Sequence, residues 1–277
     1  MRDRSIIHSI VKFSVAILFS AVVFLPLIWI FLNSFKTTPE LTSTIPTFLP
    51  KTFTLEHYTN LFTQVDFARY LWNSTYVAIV STVVTLVLGA LAAYSIYRCR
   101  FPGQRVIFGL FLSVYVFPRV LIMIPLFIIL SKLGLVDTLF SLVVLNVTTS
   151  APFSIWTLKA FFTTIPFELE EAASIDGAGR MTALFRVILP VTAPGLAALG
   201  LNTFLLCWTE YLFASIFIMS TQIKTIPVGM ALFLDQYFID WGMLMSSSVV
   251  VAVPPIILFA FLGRFYVKGL TAGAVKG

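Results

Sequence analysis

Charge is scarce in this sequence. Asp, Glu, Lys and Arg make up 11% of its 277 residues, against about 25% in soluble domains. Hydrophobic residues make up 59%, and the mean hydropathy is +0.98. A soluble domain cannot bury so much apolar surface, so most of it must face lipid. The composition excludes an ordinary cytosolic enzyme, a secreted disulfide-linked domain and a disordered chain.

Groups that could support catalysis or bind a metal are also few. Cys99 and Cys207 are predicted at the edge of one apolar segment and inside another, which suggests neither a disulfide nor a metal site. The two histidines, His8 and His57, belong to no catalytic constellation. No G-x-x-x-x-G-K-S/T loop is present, so nothing in the sequence would hold ATP. We expect no enzyme and no cofactor on this chain, and an energy source in a partner protein or an ion gradient.

Six apolar segments are long enough to cross a bilayer core, which needs about 20 helical residues. They are 13–32, 71–97, 106–130, 139–162, 193–219 and 244–266. The predicted fold class is therefore all-α, a polytopic membrane protein with six transmembrane helices in one domain, residues 1–277. The first loop, about 33–70, contains three prolines and is predicted to be irregular.

The basic residues predict the orientation of the chain. With a cytoplasmic N-terminus, twelve Lys and Arg residues fall inside and five fall outside, which fits the positive-inside rule. Both termini are then cytoplasmic, because the number of spans is even. The net charge of +6 is thus expected in cytoplasmic loops and does not indicate nucleic-acid binding.

The loop at about 163–192 is the most polar feature of the chain. Pro166 can open a helix, and Glu168, Glu170 and Glu171 crowd its first turn, where the helix dipole favours negative charge. Gly177 offers a left-handed end, and a second short helix is predicted over about 180–188. The pattern predicts a helix–turn–helix on the cytoplasmic face, whose small side chains allow a partner to approach closely. An unpartnered interfacial helix is the alternative.

The same loop resembles the E-A-A-x3-G-x9-I-x-L-P signature of permease subunits of bacterial ABC importers. The matching residues are Glu171, Ala172, Ala173, Gly177, Leu189 and Pro190, with Val187 at the Ile position. The resemblance implies the type I importer permease fold, in which the first short helix is a cytoplasmic coupling helix that docks in a groove of an ATP-binding subunit. It also implies that ATP and Mg²⁺ bind to partner subunits.

Three further stretches resemble the carbohydrate branch of this family. Ala93, Tyr94, Arg98 and 101–103 match A-Y-x3-R-x-x-F-P-G, and Cys207–Phe213 is similar to W-N-E-Y-L-F with Thr209 replacing Asn. The C-terminal 269–277 resembles the tail of maltose-transporter permeases. The resemblance implies an oligosaccharide or glycoside as cargo, with a polyol, an acidic sugar or a glycerol phosphate as alternatives.

The family resemblance also implies several partners and contacts. The partners are a second homologous permease, two ATP-binding subunits and an extracytoplasmic solute-binding protein, in a bacterial inner membrane. The tail residues Lys276 and Gly277 would approach the ATP-binding subunits. The outer loop 220–243 would meet the binding protein through Asp235, Gln236 and Tyr237, although a solvated connector is the alternative.

Ionisable residues inside predicted spans are candidates for the translocation path, because they are costly in lipid. Arg119 lies in the third span and Glu210 in the fifth, at similar depths, so either they form an ion pair or Arg119 faces the cargo. Asn146, Asn202 and Trp208 could offer amide groups and an aromatic face to a sugar. A self-sufficient ion-coupled transporter that uses Arg119 and Glu210 as a relay is the rival, although no inverted repeat is evident.

Overall fold

The computed structural model describes residues 2–99, 101–234 and 239–274, with side chains over residues 11–99, 101–234 and 239–265. This part of the chain is helical. Outside the helices it has turns and one isolated antiparallel bridge between Leu234 and Ile239, and no strand occurs in these residues. The all-α prediction is confirmed.

Fourteen α-helices are found in the described residues, and several are short turns in loops. In chain order they are α1 Arg2–Asn33, α2 Thr38–Leu41, α3 Glu56–Thr63, α4 Phe67–Arg98, α5 Gln104–Val116, α6 Arg119–Lys132, α7 Leu139–Thr163, α8 Glu168–Ile175, α9 Arg180–Ala183, α10 Leu189–Val191, α11 Ala193–Trp208, α12 Leu212–Phe217, α13 Ile226–Ala231 and α14 Trp241–Ala274.

Five stretches of the described chain are long and apolar enough to cross a membrane. They are Val11–Asn33, Phe67–Arg98, Leu139–Thr163, Ala193–Phe217 and Trp241–Phe265. Helices α5 and α6 form a sixth candidate only if they are counted together, because the chain bends by 103° between them. All six predicted segments therefore lie on helices, but they are not six uninterrupted helices.

The third predicted span, 106–130, is wrong as one continuous helix. Pro118 explains the break, because its ring disfavours a helical conformation in the residue before it and it has no N–H to donate. Phe117 is accordingly extended, with φ −69° and ψ 132°. Arg119, predicted inside a span, is instead the first residue of α6.

The fifth predicted span, 193–219, is also divided. Helix α11 ends at Trp208, residues 209–211 leave the helical path, and α12 begins at Leu212. The fourth span, by contrast, is one helix, α7, even though it contains Pro152. The hydroxyls of Thr148 and Thr149 bond to carbonyls of their own helix, one turn back.

The described chain folds into two compact units, residues 1–68 with 229–253 and residues 69–228 with 254–277. In the first unit, the loop after α1 is mostly irregular, as predicted, but well packed. Phe35 stacks on Phe53 at 4.8 Å, and Lys36 lies buried over the Trp29 ring at 4.9 Å. The Nε2 atom of His57 pairs with the Lys36 carbonyl at 2.9 Å, which makes His57 a structural residue.

In the second unit, α7 packs against α5, α11 and α12. It also crosses α4 closely at Gly89, where an added Cβ would lie 3.1 Å from the Cβ of Ser154. Such small-residue contacts are typical of helices that pack in membranes. Two clusters of buried apolar side chains surround α7, one including Leu142 and Phe217, the other Leu158 and Phe162.

Different parts of the second unit contact the two ends of α4. Near its N-terminus, the Asn73 amide donates to the carbonyls of Gln222 and Lys224 at 3.0 and 2.9 Å. At its C-terminus, Arg98 Nη2 donates to the Ile165 carbonyl at 3.2 Å. The segment 222–226 and the loop after α7 therefore lie at opposite ends of one 32-residue helix.

Asp137 joins the α6–α7 turn to the end of α12. Its Oδ1 accepts hydrogen bonds from the N–H groups of Met219 and Ser220 at 2.8 and 2.9 Å, and its Oδ2 accepts one from the Ser220 hydroxyl. These donors favour the ionised carboxylate, so the Ser220 hydroxyl and then the N–H groups hold the pKa of Asp137 below its usual range.

We predict that these bonds stabilise the protein only while Asp137 is ionised. A carboxylate with a lowered folded-state pKa contributes stability above its unfolded pKa of about 3.9, and that contribution is lost as the pH falls through the folded value. Asp137→Asn should therefore lower the Tm in detergent at pH 7, and the difference from wild type should shrink as the pH falls below 4. A difference in Tm that stays constant from pH 7 to pH 3 would contradict this role.

Candidate functional site

The polar loop between α7 and α11 forms the helix–turn–helix that its sequence predicts. Helix α8 covers Glu168–Ile175, with three acidic residues in its first turn. A second helical segment follows from Arg180, with a π-helical turn over Leu184–Ile188 that leads into α10. Of the α8 residues, only Ala173 is buried.

Gly177 ends the first half of this motif. Its φ is +82°, in the left-handed region where residues with a Cβ are disfavoured, and the N–H groups of Gly177 and Ala178 bond to carbonyls of α8. A Cβ at this position would meet no heavy atom within 4 Å. Glycine is therefore favoured here by the backbone conformation and not by crowding, because the surroundings would leave room for a side chain.

The residues of the E-A-A signature are mostly at the surface. Glu171, Ala172, Gly177 and Pro190 are exposed, and Leu189 is half-buried. Large apolar side chains also remain exposed in the same loop; they are Phe167, Leu169, Ile175, Met181, Phe185 and Val191, with Ile175 86% exposed. Exposed apolar groups in a loop outside the apolar spans are typical of a surface that another protein covers.

The beginning of α8 is tied to the end of α4 by a polar contact. Arg98 Nε lies 3.0 Å from Glu170 Oε2, and the Tyr94 hydroxyl donates to Glu170 Oε1. The Arg98 guanidinium also lies 3.8 Å from the Phe167 ring centroid. A cavity of about 260 Å³ opens beside this contact, lined by side chains that include Glu171, Ser174 and Arg180.

In the sequence, Tyr94 and Arg98 stand out only through the family resemblance, and Glu170 only as an acidic residue in the first turn of a helix. One signal was available, because Tyr94 and Arg98 are four residues apart and so lie on one face of a helix. Their partner is more than 70 positions away in the sequence, and no local pattern indicates it.

The candidate path residues lie in different environments. Asn146 and Trp208 are buried, Asn202 and Glu210 are half-buried, and Arg119 is exposed at the start of α6. Trp208 stacks on Phe204 at 5.5 Å, and its Nε1 finds no hydrogen-bond acceptor in the described part of the chain. The structure therefore places Arg119 and Glu210 at helix breaks and the other three along α7 and α11.

Glu210 bonds to the helix that follows it. Its Oε1 accepts from the N–H of Phe213 at 2.8 Å, and its Oε2 accepts from that of Ala214 at 3.1 Å. These donors are among those left without intrahelical partners at the start of α12, so Glu210 caps this helix. The described residues contain no ion pair between Glu210 and Arg119, although the sequence left that pairing open.

Five predicted site residues lie outside the described residues. They are Asp235, Gln236, Tyr237, Lys276 and Gly277. Their predicted contacts with a binding protein and with ATP-binding subunits remain predictions.

The described residues thus have the architecture of an all-α integral membrane protein with five or six apolar spans and an exposed helix–turn–helix. The family model described as "binding-protein-dependent transport system inner membrane component" matches residues 85–272, more than half of the chain. The chain belongs to this family. It is thus a multi-pass inner-membrane permease of an ABC transport system, a non-catalytic subunit with ATP hydrolysis on separate subunits. A model for a transmembrane domain of unknown function also matches residues 3–99.

Similar proteins cover nearly the whole chain. The inner membrane ABC transporter permease protein YcjP of Escherichia coli is 42% identical over 263 residues, 94% of each chain. The trehalose transport system permease protein SugB of Mycobacterium tuberculosis is 37% identical, over 91% of this chain and 92% of its own. A chain of a bacterial ABC transporter involved in the import of the acidic polysaccharide alginate has a TM-score of 0.80 at 22% identity, covering 94% and 96%, which establishes a shared fold.

We predict that Glu210 acts on stability as a cap and not as the partner of Arg119. Glu210→Ala should cost about 0.5–2 kcal/mol, the usual cost of losing a helix cap. Arg119 acts on Glu210 only by attraction at longer range and not through a direct ion pair, so in combination with Arg119→Gln the two effects should add to within about 0.5 kcal/mol. SDS-induced unfolding in mixed micelles would measure this cycle.

Thr209→Ala provides the control for this cycle, because the exposed Thr209 hydroxyl bonds only to the Leu205 carbonyl in the preceding helix, α11. A coupling between Glu210 and Arg119 of about 1 kcal/mol or more would restore the ion-pair interpretation.

Proposed function

We propose that this chain is the membrane subunit of a carbohydrate importer, and that α8 is the element on which an ATP-binding subunit docks. One observation carries the proposal, namely that α8 buries only Ala173 and leaves Ile175 almost wholly exposed outside the apolar spans. Covering this apolar side chain with a partner protein would remove its surface from water, which is favourable. Glu171, Ala172, Ala173, Gly177, Leu189 and Pro190 form or support this contact.

The proposed mechanism follows from that contact. ATP binding closes a pair of ATP-binding subunits, and the docked α8 passes the movement to the helices, so that the cargo path opens alternately to the two sides. ATP and Mg²⁺ act on the partner subunits. The ATP-binding subunits must contact α8 differently in the two states of the permease. A ligand shifts a conformational equilibrium only through its different affinities for the two states.

The proposed assembly contains a second homologous permease, two ATP-binding subunits and an extracytoplasmic binding protein. Both termini and the α8 loop face the cytoplasm, which the distribution of Lys and Arg supports. Asp235, Gln236 and Tyr237 meet the binding protein, and Lys276 and Gly277 approach the ATP-binding subunits.

The cargo is a carbohydrate, as the name of the trehalose permease SugB supports. Asn146, Asn202, Trp208 and the two helix breaks with Arg119 and Glu210 provide the proposed path. Arg119 is exposed at the first residue of α6, which suits an acidic sugar or a glycerol phosphate; these two and a polyol are the alternative cargoes. The ion-coupled rival is less well supported, since Glu210 is engaged by two backbone N–H groups.

We predict that the left-handed backbone at Gly177 is needed for coupling. A residue with a Cβ costs about 1–2 kcal/mol in this conformation, and Gly177→Leu would also place a bulky side chain on the docking surface. Uptake of a panel of radiolabelled disaccharides by the whole importer should fall at least tenfold relative to ATP hydrolysis. Gly177→Asn should retain more uptake than Gly177→Leu, because Asn tolerates the left-handed region.

Gly103→Leu is the matched control. Gly103 has the same φ of +82° and the same open surroundings, but it lies outside the α8 loop. Its ratio of uptake to hydrolysis should stay close to wild type. If Gly177→Leu keeps normal uptake and normal stimulation of hydrolysis, the assignment of coupling to this loop is wrong.

A further inference from the structure

Helix α8 is held to the rest of the chain by few contacts. It packs against the second helical segment of its own loop, and among its residues only Ala173 is buried. Its first turn is fixed differently, through a carboxylate that reaches a long helix. A docked helix transmits movement to the rest of the chain only if it is attached rigidly. The attachment of α8 therefore matters for coupling, an inference that rests on the proposed function.

Both oxygens of the Glu170 carboxylate lie against side chains of α4, Oε1 through a hydrogen bond and Oε2 through an ion pair that does not have hydrogen-bond geometry. Arg98 Nε lies 3.0 Å from Oε2, and the Tyr94 hydroxyl donates to Oε1. Tyr94 and Arg98 are one helical turn apart on the same face, so the carboxylate bridges two successive turns of α4. Two attachment points on one rigid helix restrict rotation as well as separation.

The same arginine holds the chain just before α8. Its Nη2 donates to the Ile165 carbonyl at 3.2 Å, and its guanidinium plane lies over Phe167 at 3.8 Å and over Tyr97 at 4.8 Å. The Arg98 side chain is only 4% exposed and that of Glu170 is 19% exposed. Water therefore screens this contact poorly, and neither group can leave the other without stranding a charge.

We propose that Tyr94, Arg98 and Glu170 form a clamp that makes α8 and the end of α4 move as one body when the partner displaces α8. Tyr94 and Arg98 are positioning residues, since they act on the docking helix and not on cargo or nucleotide. The clamp adds little net stability, because Arg98 Nε and Nη1 and Glu170 Oε2 are all buried without a hydrogen-bond partner in the described residues. A buried pair of this kind is better suited to fixing one arrangement than to adding net stability.

The clamp would transmit the movement of α8 along α4 to its other end. Helix α4 runs without a break for 32 residues from Phe67 to Arg98, about 48 Å at 1.5 Å per residue. Near its other end, Asn73 and Ser74 bond to the segment 222–226. A displacement of α8 would thus reach the opposite end of this unit along one continuous helix.

The test measures whether α8 follows α4 in the assembled importer. Spin labels at Ser95→Cys, on the exposed side of α4 near its end, and at Ile175→Cys report the distance between the two helices, in a chain that carries Cys99→Ala and Cys207→Ala. The complex is measured by pulsed electron resonance at rest and after trapping with ATP, Mg²⁺ and vanadate. The variants are Tyr94→Phe, which removes one hydroxyl, and Glu170→Gln, which removes the charge.

Glu168→Gln is the matched control, because Glu168 lies in the same turn of α8 but is exposed. We expect one unchanged distance in both states for the wild type and for Glu168→Gln. In Tyr94→Phe and Glu170→Gln the distance should match wild type at rest and shift beyond the wild-type distribution only after trapping.

Three results would overturn the clamp. They are a wild-type distance that itself shifts on trapping, clamp variants that behave as wild type after trapping, and clamp variants broadened equally in both states, which would assign the contact to stability alone. The Ile175 label separates the clamp from the proposed function. A label that stays as mobile in the complex as in the isolated chain refutes docking of α8, whereas an immobilised label with unshifted distances in both variants refutes the clamp only.

Discussion

In a bilayer core, every backbone N–H and C=O must find a partner within the protein, and this requirement shapes the spanning part of the chain. Long helices meet it without help, and α4 and α7 do so even at a tight crossing. The two interrupted spans meet it locally. At the break in residues 209–211, the Glu210 carboxylate accepts hydrogen bonds from two N–H groups at the start of α12. At the break after Phe117, the next residue is Pro118, which has no N–H to satisfy. Arg119 and Glu210 thus both lie where a helix is broken.

The loop with α8 follows the opposite principle. Outside the apolar spans water can satisfy the backbone, so a short helix can be displayed with little burial. Such a helix is marginal alone, because nucleation is costly and few residues propagate it. Little of the stability of α8 comes from packing. It comes instead from the acidic first turn, the left-handed Gly177 and the contacts of Glu170 with α4. A surface that is small, apolar at Ile175 and firmly positioned is well suited to receive a partner.

The extent to which the sequence predicts this structure depends on the range of each interaction. Apolar length alone places all six predicted segments on helices, although the third and the fifth are interrupted. Local signals at Pro166, the three glutamates and Gly177 predict the helix–turn–helix. Pro118 marks its break in the sequence, but the apolar run on both sides of it favours one continuous span. The break before α12 has no Gly or Pro to mark it, because a single carboxylate satisfies the freed donors. The Arg98–Glu170 contact joins two helices that are far apart in the sequence, α4 and α8, and only the folded chain brings its groups together.

The docking of an ATP-binding subunit on α8 is the central claim, and site-specific photocrosslinking from position 175 tests it most directly. A photoreactive residue in place of Ile175 in the intact importer is predicted to give one protein adduct, whose peptides come from a subunit with a G-x-x-x-x-G-K-S/T phosphate-binding loop. The same residue in place of Thr44, which is exposed in the loop after α1, should not give that adduct. Crosslinks from position 175 to lipid alone, or to the extracytoplasmic binding protein, would contradict the account.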